Sequence, residues 1–129
     1  MRPSAPLVRC ADDRPNEDTL IVVRTLGGAI SRMSTDDSTY PHRNARFNLS
    51  IDCSWTDPDD DAANVGWARQ TWETMRPFAD CGVYVNFAGF DDERDVSRQE
   101  TYGSNAVRIE QVRAAYDPDN LFEAAARRP

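Results

Sequence analysis

Tyr84 and Asn86 stand two residues apart in the run Val83-Tyr84-Val85-Asn86-Phe87. A phenol beside an amide can orient a planar ligand and handle a proton. Tyrosine serves as a general base where a cation or hydrogen-bond donor stabilises its phenolate. Tyr84 is therefore the candidate catalytic residue and Asn86 a candidate ligand contact. The same alternation also describes a plain half-buried strand, with Val83, Val85 and Phe87 on one face and Tyr84 and Asn86 on the other. Spacing alone favours that structural alternative. Other chemistries lack their residues. Gly27-Gly28 is not followed by the Gly-Lys-Ser/Thr of a phosphate loop, and a bulge or kink explains the pair. There is no Gly-x-Ser-x-Gly, and the sole histidine, His42, has no evident nucleophile to serve. Cys10, Cys53 and Cys81 are odd in number and far apart, so neither a disulfide framework nor a zinc site is expected.

The elements that must hold these residues follow from periodicity. Residues 1–18 show prolines, charges and no repeat, and are expected as a flexible tail. Leu20 to Val23 is a short β-branched strand candidate, and Ala29 to Met33 resumes in extended form after the glycine pair. Phe47, Leu49, Ile51, Cys53 and Trp55 alternate with Asn48, Ser50, Asp52 and Ser54, the pattern of a strand packed on one side. Asp57-Pro58 opens a helix whose stripe is Val65, Ala68, Trp72, Met75 and Ala79, ended by Pro77 and Cys81-Gly82. Val83 to Phe87 reads as a further strand and Gly89 to Asp95 as an acidic loop. Tyr102-Gly103-Ser104-Asn105 is a helix entry, with Gly103 allowing the turn and Ser104 or Asn105 the cap. The helix then runs to Tyr116, with Ala106, Ile109, Val112 or Arg113, and Tyr116 inward, and Asp117-Pro118 stops it. The fold class expected is α+β, an antiparallel sheet with two main helices packed on one face.

Composition sets the outer limits. The 129 residues suit one compact domain, and a chain this size needs no staple to fold. All 15 basic residues are arginine, against 22 acidic residues, for a net charge of −7. Such a balance argues against nucleic acid or an anionic membrane as partner, because both call for a cationic footprint. No apolar run approaches a membrane span and the first residues lack an apolar leader core, so a cytoplasmic protein is expected. The aspartate runs read as solvated surface.

In order, the motifs form a series: Gly27-Gly28-Ala29-Ile30 with Arg32; Tyr40-Pro41-His42-Arg43; Tyr84-Val85-Asn86-Phe87; Tyr102-Gly103-x-Asn105 with Arg108; and Tyr116-Asp117-Pro118-Asp119-Asn120-Leu121-Phe122. This series resembles the C-terminal part of FAD-linked oxidases of the berberine bridge enzyme type, in the vanillyl-alcohol oxidase superfamily, over residues 19–122. The resemblance implies a module that completes the substrate domain of a flavoenzyme and closes over the isoalloxazine ring. It places Tyr84 at the substrate side of the flavin, Asn86 close to the flavin, and Asn105 as a lesser flavin contact. Residues 123–129 would be a C-terminal tail. Two features depart from the family pattern. Phe87 stands where many members carry a second tyrosine, and Glu123 to Pro129 replaces the family's usual ending. The pyrophosphate loop and the His and Cys that attach flavin have no counterpart here. FAD would thus come from a further domain or a flavin-domain chain as partner, and the module alone would be inactive. The alternative is a stand-alone, non-catalytic α+β domain for binding or self-association, a homo-oligomer formed through an exposed sheet face.

Overall fold

Two β-rich runs find each other across 21 intervening residues to make the only sheet among the described residues. A computed structural model describes residues 3–80, 82–87 and 101–122. Strand β1, Leu20–Thr25, pairs antiparallel with β2, Phe47–Asp52, in the register Leu20↔Asp52 through Thr25↔Phe47. The Leu26 N–H donates to the Arg46 carbonyl at 2.9 Å. Ladder bonds of an antiparallel pair fall on alternate residues. The backbone groups of Ile21, Val23 and Thr25 on β1, and of Phe47, Leu49 and Ile51 on β2, therefore point away from the partner strand. The same alternation puts these six side chains on one face. The α+β class and the antiparallel sheet agree with the sequence, although β2 stops at Asp52 rather than running on to Trp55.

The chain divides into two compact units where its length suggested one. The first comprises Met1–Gly27 and Ala45–Asp80; the second comprises Gly28–Asn44 and Cys81–Pro129. In the first unit, helix α1 spans Ser4–Asp12, within the stretch expected to be a flexible tail. Prolines 3 and 6 fall at the start of this helix, where an N–H has no intrahelical partner and proline is tolerated. Pro6 is buried, and the indole of Trp67 donates to the Cys10 carbonyl at 2.9 Å, tying α1 to the long helix.

That long helix begins much as its sequence dictates. The Asp57 carboxylate accepts the Asp59 N–H at 3.0 Å, Pro58–Asp60 form a 3₁₀ turn, and α3 runs Asp61–Met75. Its buried face is not the expected stripe. Asn64, Trp67, Thr71 and Met75 are buried, Val65 and Ala68 are half-buried, and Trp72 and Ala79 are exposed. The helix is rotated by about one residue from the apolar reading because Asn64 is a buried hub. Its Oδ1 accepts from Asn16 at 2.9 Å and from the Thr19 hydroxyl at 3.4 Å, while its Nδ2 donates to the Asp60 carbonyl at 2.9 Å. A satisfied polar group tolerates burial, and this one is placed where apolar periodicity cannot see it.

The second unit has no strand among its described residues. Ala29–Arg32, expected to be extended, forms the single turn α2. Gly28 at φ +56° and ψ −120° takes a backbone conformation suited to glycine, and the Ser31 hydroxyl donates back to the Gly28 carbonyl at 3.2 Å. Val83–Phe87 is likewise not a strand. Val85–Phe87 coil into a 3₁₀ turn closed by the Phe87 N–H on the Tyr84 carbonyl at 2.9 Å. A 3₁₀ turn over Gly103–Asn105 leads into α4, Ala106–Tyr116. Ala106, Ile109 and Arg113 are half-buried, but Tyr116, expected inward, is 84 % exposed and Val112 is exposed too. The acidic loop from Gly89 to Asp95, Cys81, and the tail 123–129 lie outside the described residues. Among the described residues no helix is long and apolar enough to cross a membrane.

Candidate functional site

The second unit gathers motifs that lie far apart in the chain. Its foundation is the segment Ser34–Ser38. The Ser34 hydroxyl accepts the Asp36 N–H at 3.3 Å, and the Asp37 carboxylate accepts the Ser34 N–H at 3.1 Å, a reciprocal cap on the Thr35–Asp37 turn. Asn105 holds this segment from the start of α4. Its buried Nδ2 donates to the carbonyls of Thr35 and Ser38 at 2.8 and 3.0 Å, and the Arg108 guanidinium donates to the Asp36 carbonyl at 2.8 Å. Gly103, at φ +51°, lies against Pro41, where an added Cβ would sit 3.4 Å from the proline ring. These contacts seat Tyr40-Pro41-His42-Arg43.

On that seat stands an aromatic cluster. The Tyr40 ring meets His42 edge-on at 5.6 Å and Tyr84 edge-on at 5.5 Å, and Tyr84 meets Phe87 edge-on at 5.0 Å. The Arg43 guanidinium lies 5.1 Å from the centre of the Tyr40 ring, donates to the Ile30 carbonyl at 3.3 Å, and also donates to the Ser38 hydroxyl. Edge-to-face geometry and a cation over a ring are both favourable and both directional. The half-buried Tyr84 phenol is thereby held from two sides. Asn86 completes it, its Nδ2 donating to the Tyr84 oxygen at 2.8 Å. Since the amide fills one acceptor position, the phenol O–H remains the group that can face a ligand. The Nε2 of His42 and the Nε of Arg43 are buried without hydrogen-bond partners among the described residues.

Tyr84 and Asn86 are thus neighbours, but through a turn and not through a shared strand face. Phe87, assigned by alternation to the opposite side, packs on the Tyr84 ring. The Asn105 amide spends both hydrogens on backbone carbonyls. Sequence reasoning passed over Tyr40, His42 and Arg43 as site residues. The run Tyr-Pro-His-Arg was the available signal, since it packs an aromatic, an imidazole and a cation around one proline.

The ordered motifs and their convergence agree with what known proteins show. Residues 83–126 match the family model described as berberine and berberine like. The FAD-linked oxidoreductase YvdP of Bacillus subtilis is 31 % identical over 96 residues, a match spanning 74 % of this chain and 21 % of YvdP. The chain belongs to the berberine bridge enzyme-like, FAD-linked oxidoreductases. Berberine bridge enzyme-like 17 of Arabidopsis thaliana is 28 % identical over 111 residues, covering 74 % of this chain and 21 % of that protein. Berberine bridge enzyme-like 1 of Physcomitrella patens shares the fold at a TM-score of 0.78 and 17 % identity, over 92 % of this chain and 25 % of its own. This berberine-like chain therefore spans about a fifth to a quarter of the length of these relatives. Tyr84-Val85-Asn86-Phe87 and Tyr102-Gly103-x-Asn105 fall within the matched family segment.

The polar features of the first unit have plainer uses. The Arg24 guanidinium donates to the Ser50 hydroxyl at 2.8 Å, which donates to the Asp52 carboxylate at 3.1 Å, along one face of the sheet. Burial pushes the half-buried Cys53 thiol up from its ordinary value; a hydrogen bond with Thr19 partly opposes this, and the nearby Asp52 charge adds to it. Cys10 and Cys53 are both free thiols. Asp117 caps its own turn, accepting the Leu121 and Phe122 N–H groups at 2.7 and 3.1 Å.

Proposed function

We propose that this chain forms the substrate-side, flavin-covering module of an FAD-dependent oxidoreductase, with the flavin held by residues outside these 129. The observation that carries the reading is the Tyr84 cluster. A phenol is fixed by Asn86, Tyr40 and Phe87, and Tyr40 also meets His42, whose buried Nε2 has no hydrogen-bond partner among the described residues. Such a setting fits an aromatic group edged with donors and acceptors, as the isoalloxazine ring is. It does not fit the phosphate end, for which the sequence has neither a lysine nor a glycine-rich loop. Flavin, when bound, supplies the hydride acceptor. Asn86 is the residue that would lie at the ring. With the Asn86 amide donating to its oxygen, Tyr84 would orient a substrate hydroxyl and, as the phenolate, take up its proton, and the aromatic walls would limit access of water. Asn105 acts at one remove, bracing the Thr35–Ser38 segment on which Tyr40 stands.

Co-expression with the portion of YvdP that has no counterpart here tests the reading. Flavin absorbance that co-purifies with both polypeptides, and is bleached by a substrate alcohol or sugar, is the expected result. A colourless product with and without added FAD would sink it. The second reading, a non-catalytic domain that associates with itself, draws support from the exposure of Val23 and Phe47 on one sheet face. A dimeric mass in light scattering, with no flavin uptake, is the outcome that would favour it.

A further inference from the structure

We propose that Phe87 sets the substrate class of the Tyr84 site: it admits an alcohol whose hydroxyl-bearing carbon is joined to a flat aromatic or alkenyl skeleton, and disfavours polyhydroxylated ones. This inference rests on the reading above, in which Tyr84 meets the substrate hydroxyl. The phenol is half-buried, whereas Asn86 and Phe87, brought against it by the Val85–Phe87 turn, are both exposed. Asn86 donates to the Tyr84 oxygen at 2.8 Å, and the Phe87 ring stands perpendicular to the Tyr84 ring at 5.0 Å. Tyr40 meets the same ring edge-on at 5.5 Å. Two neighbours that reach solvent thus flank the phenol, one polar and one apolar. With Asn86 assigned to the flavin, Phe87 is the exposed neighbour left for the substrate, and it is 46 % exposed. A phenyl ring has no hydrogen-bonding atom. A ligand hydroxyl laid on it loses its water and gains no hydrogen bond, a net cost. A flat hydrocarbon laid on it removes apolar area of both partners from water and gains the ring contact that aromatics favour. A sugar, with a hydroxyl on almost every carbon, meets that cost at several positions, and the one amide beside it already gives a hydrogen to Tyr84. An alcohol with a single hydroxyl on a planar skeleton places its oxygen at the phenol and its carbons on Phe87.

The test sets cinnamyl alcohol against D-glucose, in the flavin-loaded assembly with the YvdP portion and, separately, with the full chain alone. In the chain alone, the Phe87 and Tyr84 ring resonances are expected to shift on titration with cinnamyl alcohol and to stay in place with glucose. In the assembly, kcat/KM for cinnamyl alcohol is expected to exceed that for glucose by about tenfold or more, the discrimination one apolar contact surface supplies. Phe87→Tyr adds a single hydroxyl to the same ring and is expected to narrow that ratio by about tenfold, through KM more than through kcat. Should Phe87→Tyr perturb the fold by circular dichroism, the titration of the parent chain decides alone, and absence of any ring shift overturns the inference. An unchanged ratio in a folded Phe87→Tyr assembly overturns the role of Phe87, and glucose turned over as readily as cinnamyl alcohol overturns the substrate class. In both cases flavin bleached by an alcohol leaves the oxidoreductase reading standing. A Phe87→Leu assembly with altered flavin absorbance and unchanged KM values would place Phe87 against the flavin, and the inference falls. Ring shifts with cinnamyl alcohol but no flavin uptake in any assembly support the preference of the site and remove the oxidoreductase reading. Flavin uptake with neither alcohol turned over and no ring shift overturns both.

Discussion

Tyr84 is held at its oxygen and at its ring by different neighbours, and this separation makes its proposed role testable. Asn86 occupies the oxygen while Tyr40 and Phe87 fix the ring. Replacing Tyr84 with Phe deletes the hydroxyl proposed to carry the proton and keeps the edge-on packing. In the flavin-loaded assembly, turnover is expected to fall by about 10²- to 10⁴-fold, the usual worth of a positioned acid–base group, with flavin absorbance and melting temperature little changed. A turnover within threefold of the parent would remove Tyr84 from the chemistry. Cys53 offers a second residue-scale test. Burial raises its pKa in the folded chain, so the thiol contributes stability that is fully present below the unfolded-state value and is lost as pH climbs through the folded one. Alkylation of the folded chain by iodoacetamide is expected to be slow at Cys53 near neutral pH and to accelerate in the alkaline range. Denaturant midpoints are expected to fall over the same window. Rapid labelling of Cys53 at pH 7 by peptide mapping would contradict the assignment.

The elements hold together through a few buried polar residues as much as through apolar ones. Trp67 and Met75 are the buried hydrophobic residues among those described, whereas Thr19, Ser50, Asn64, Thr71 and Asn105 are buried and polar. Removing one partner of a buried hydrogen bond leaves the other unsatisfied, at a cost of roughly 1–3 kcal/mol. Asn64→Ala removes the acceptor shared by the Asn16 amide and the Thr19 hydroxyl, and urea unfolding should show a loss of about 2 kcal/mol from the unit that contains the sheet. Asn105→Ala strands the Thr35 and Ser38 carbonyls and should cost a similar ~2 kcal/mol, registered in the unit containing α4. Its more telling consequence is local. With the brace gone, Tyr40 loses its seat, so Tyr84 ring resonances should broaden or shift in NMR spectra. Unchanged aromatic shifts in Asn105→Ala would show that the loop holds itself.

For the whole molecule, the distribution of apolar surface matters more than its amount. Leu20, Val23, Phe47, Val107, Val112, Tyr116, Leu121 and Phe122 are all exposed, and few hydrophobic residues are buried among those described. Any partner that covers such surface in the folded state alone stabilises that state by mass action, about 2.7 kcal/mol at a hundredfold excess over the dissociation constant. The YvdP portion, if it binds, is therefore expected to raise the melting temperature of the chain in proportion to the logarithm of its concentration. A flat melting temperature across that titration would argue that the exposed residues are native surface. The net charge of −7 acts in the same setting, since like-charged copies repel one another.

Much of the framework is legible in the residues taken in order. The alternation from Phe47, the β-branched run at Leu20 and the Asp57-Pro58 helix start each rest on short-range physics, and each appears where its periodicity puts it. The ordered motifs likewise carry the family, because residue types at fixed spacings are a property of the chain taken in order. Other features depended on contacts across the chain. The helix at Ser4–Asp12 is tied down by Trp67, whose indole donates to the Cys10 carbonyl 57 positions away, and nothing local announces it. The rotation of α3 follows from Asn64 satisfying Asn16 and Thr19, a gain that apolar periodicity cannot register. Val83–Phe87 alternates like a strand, yet among the described residues no strand pairs with it, and it coils so that Asn86 reaches Tyr84. Sequence by itself determined which groups are available for chemistry. Tertiary structure decided which of them meet, because a hydrogen bond or an edge-on ring contact depends on position in space and has no period along the chain.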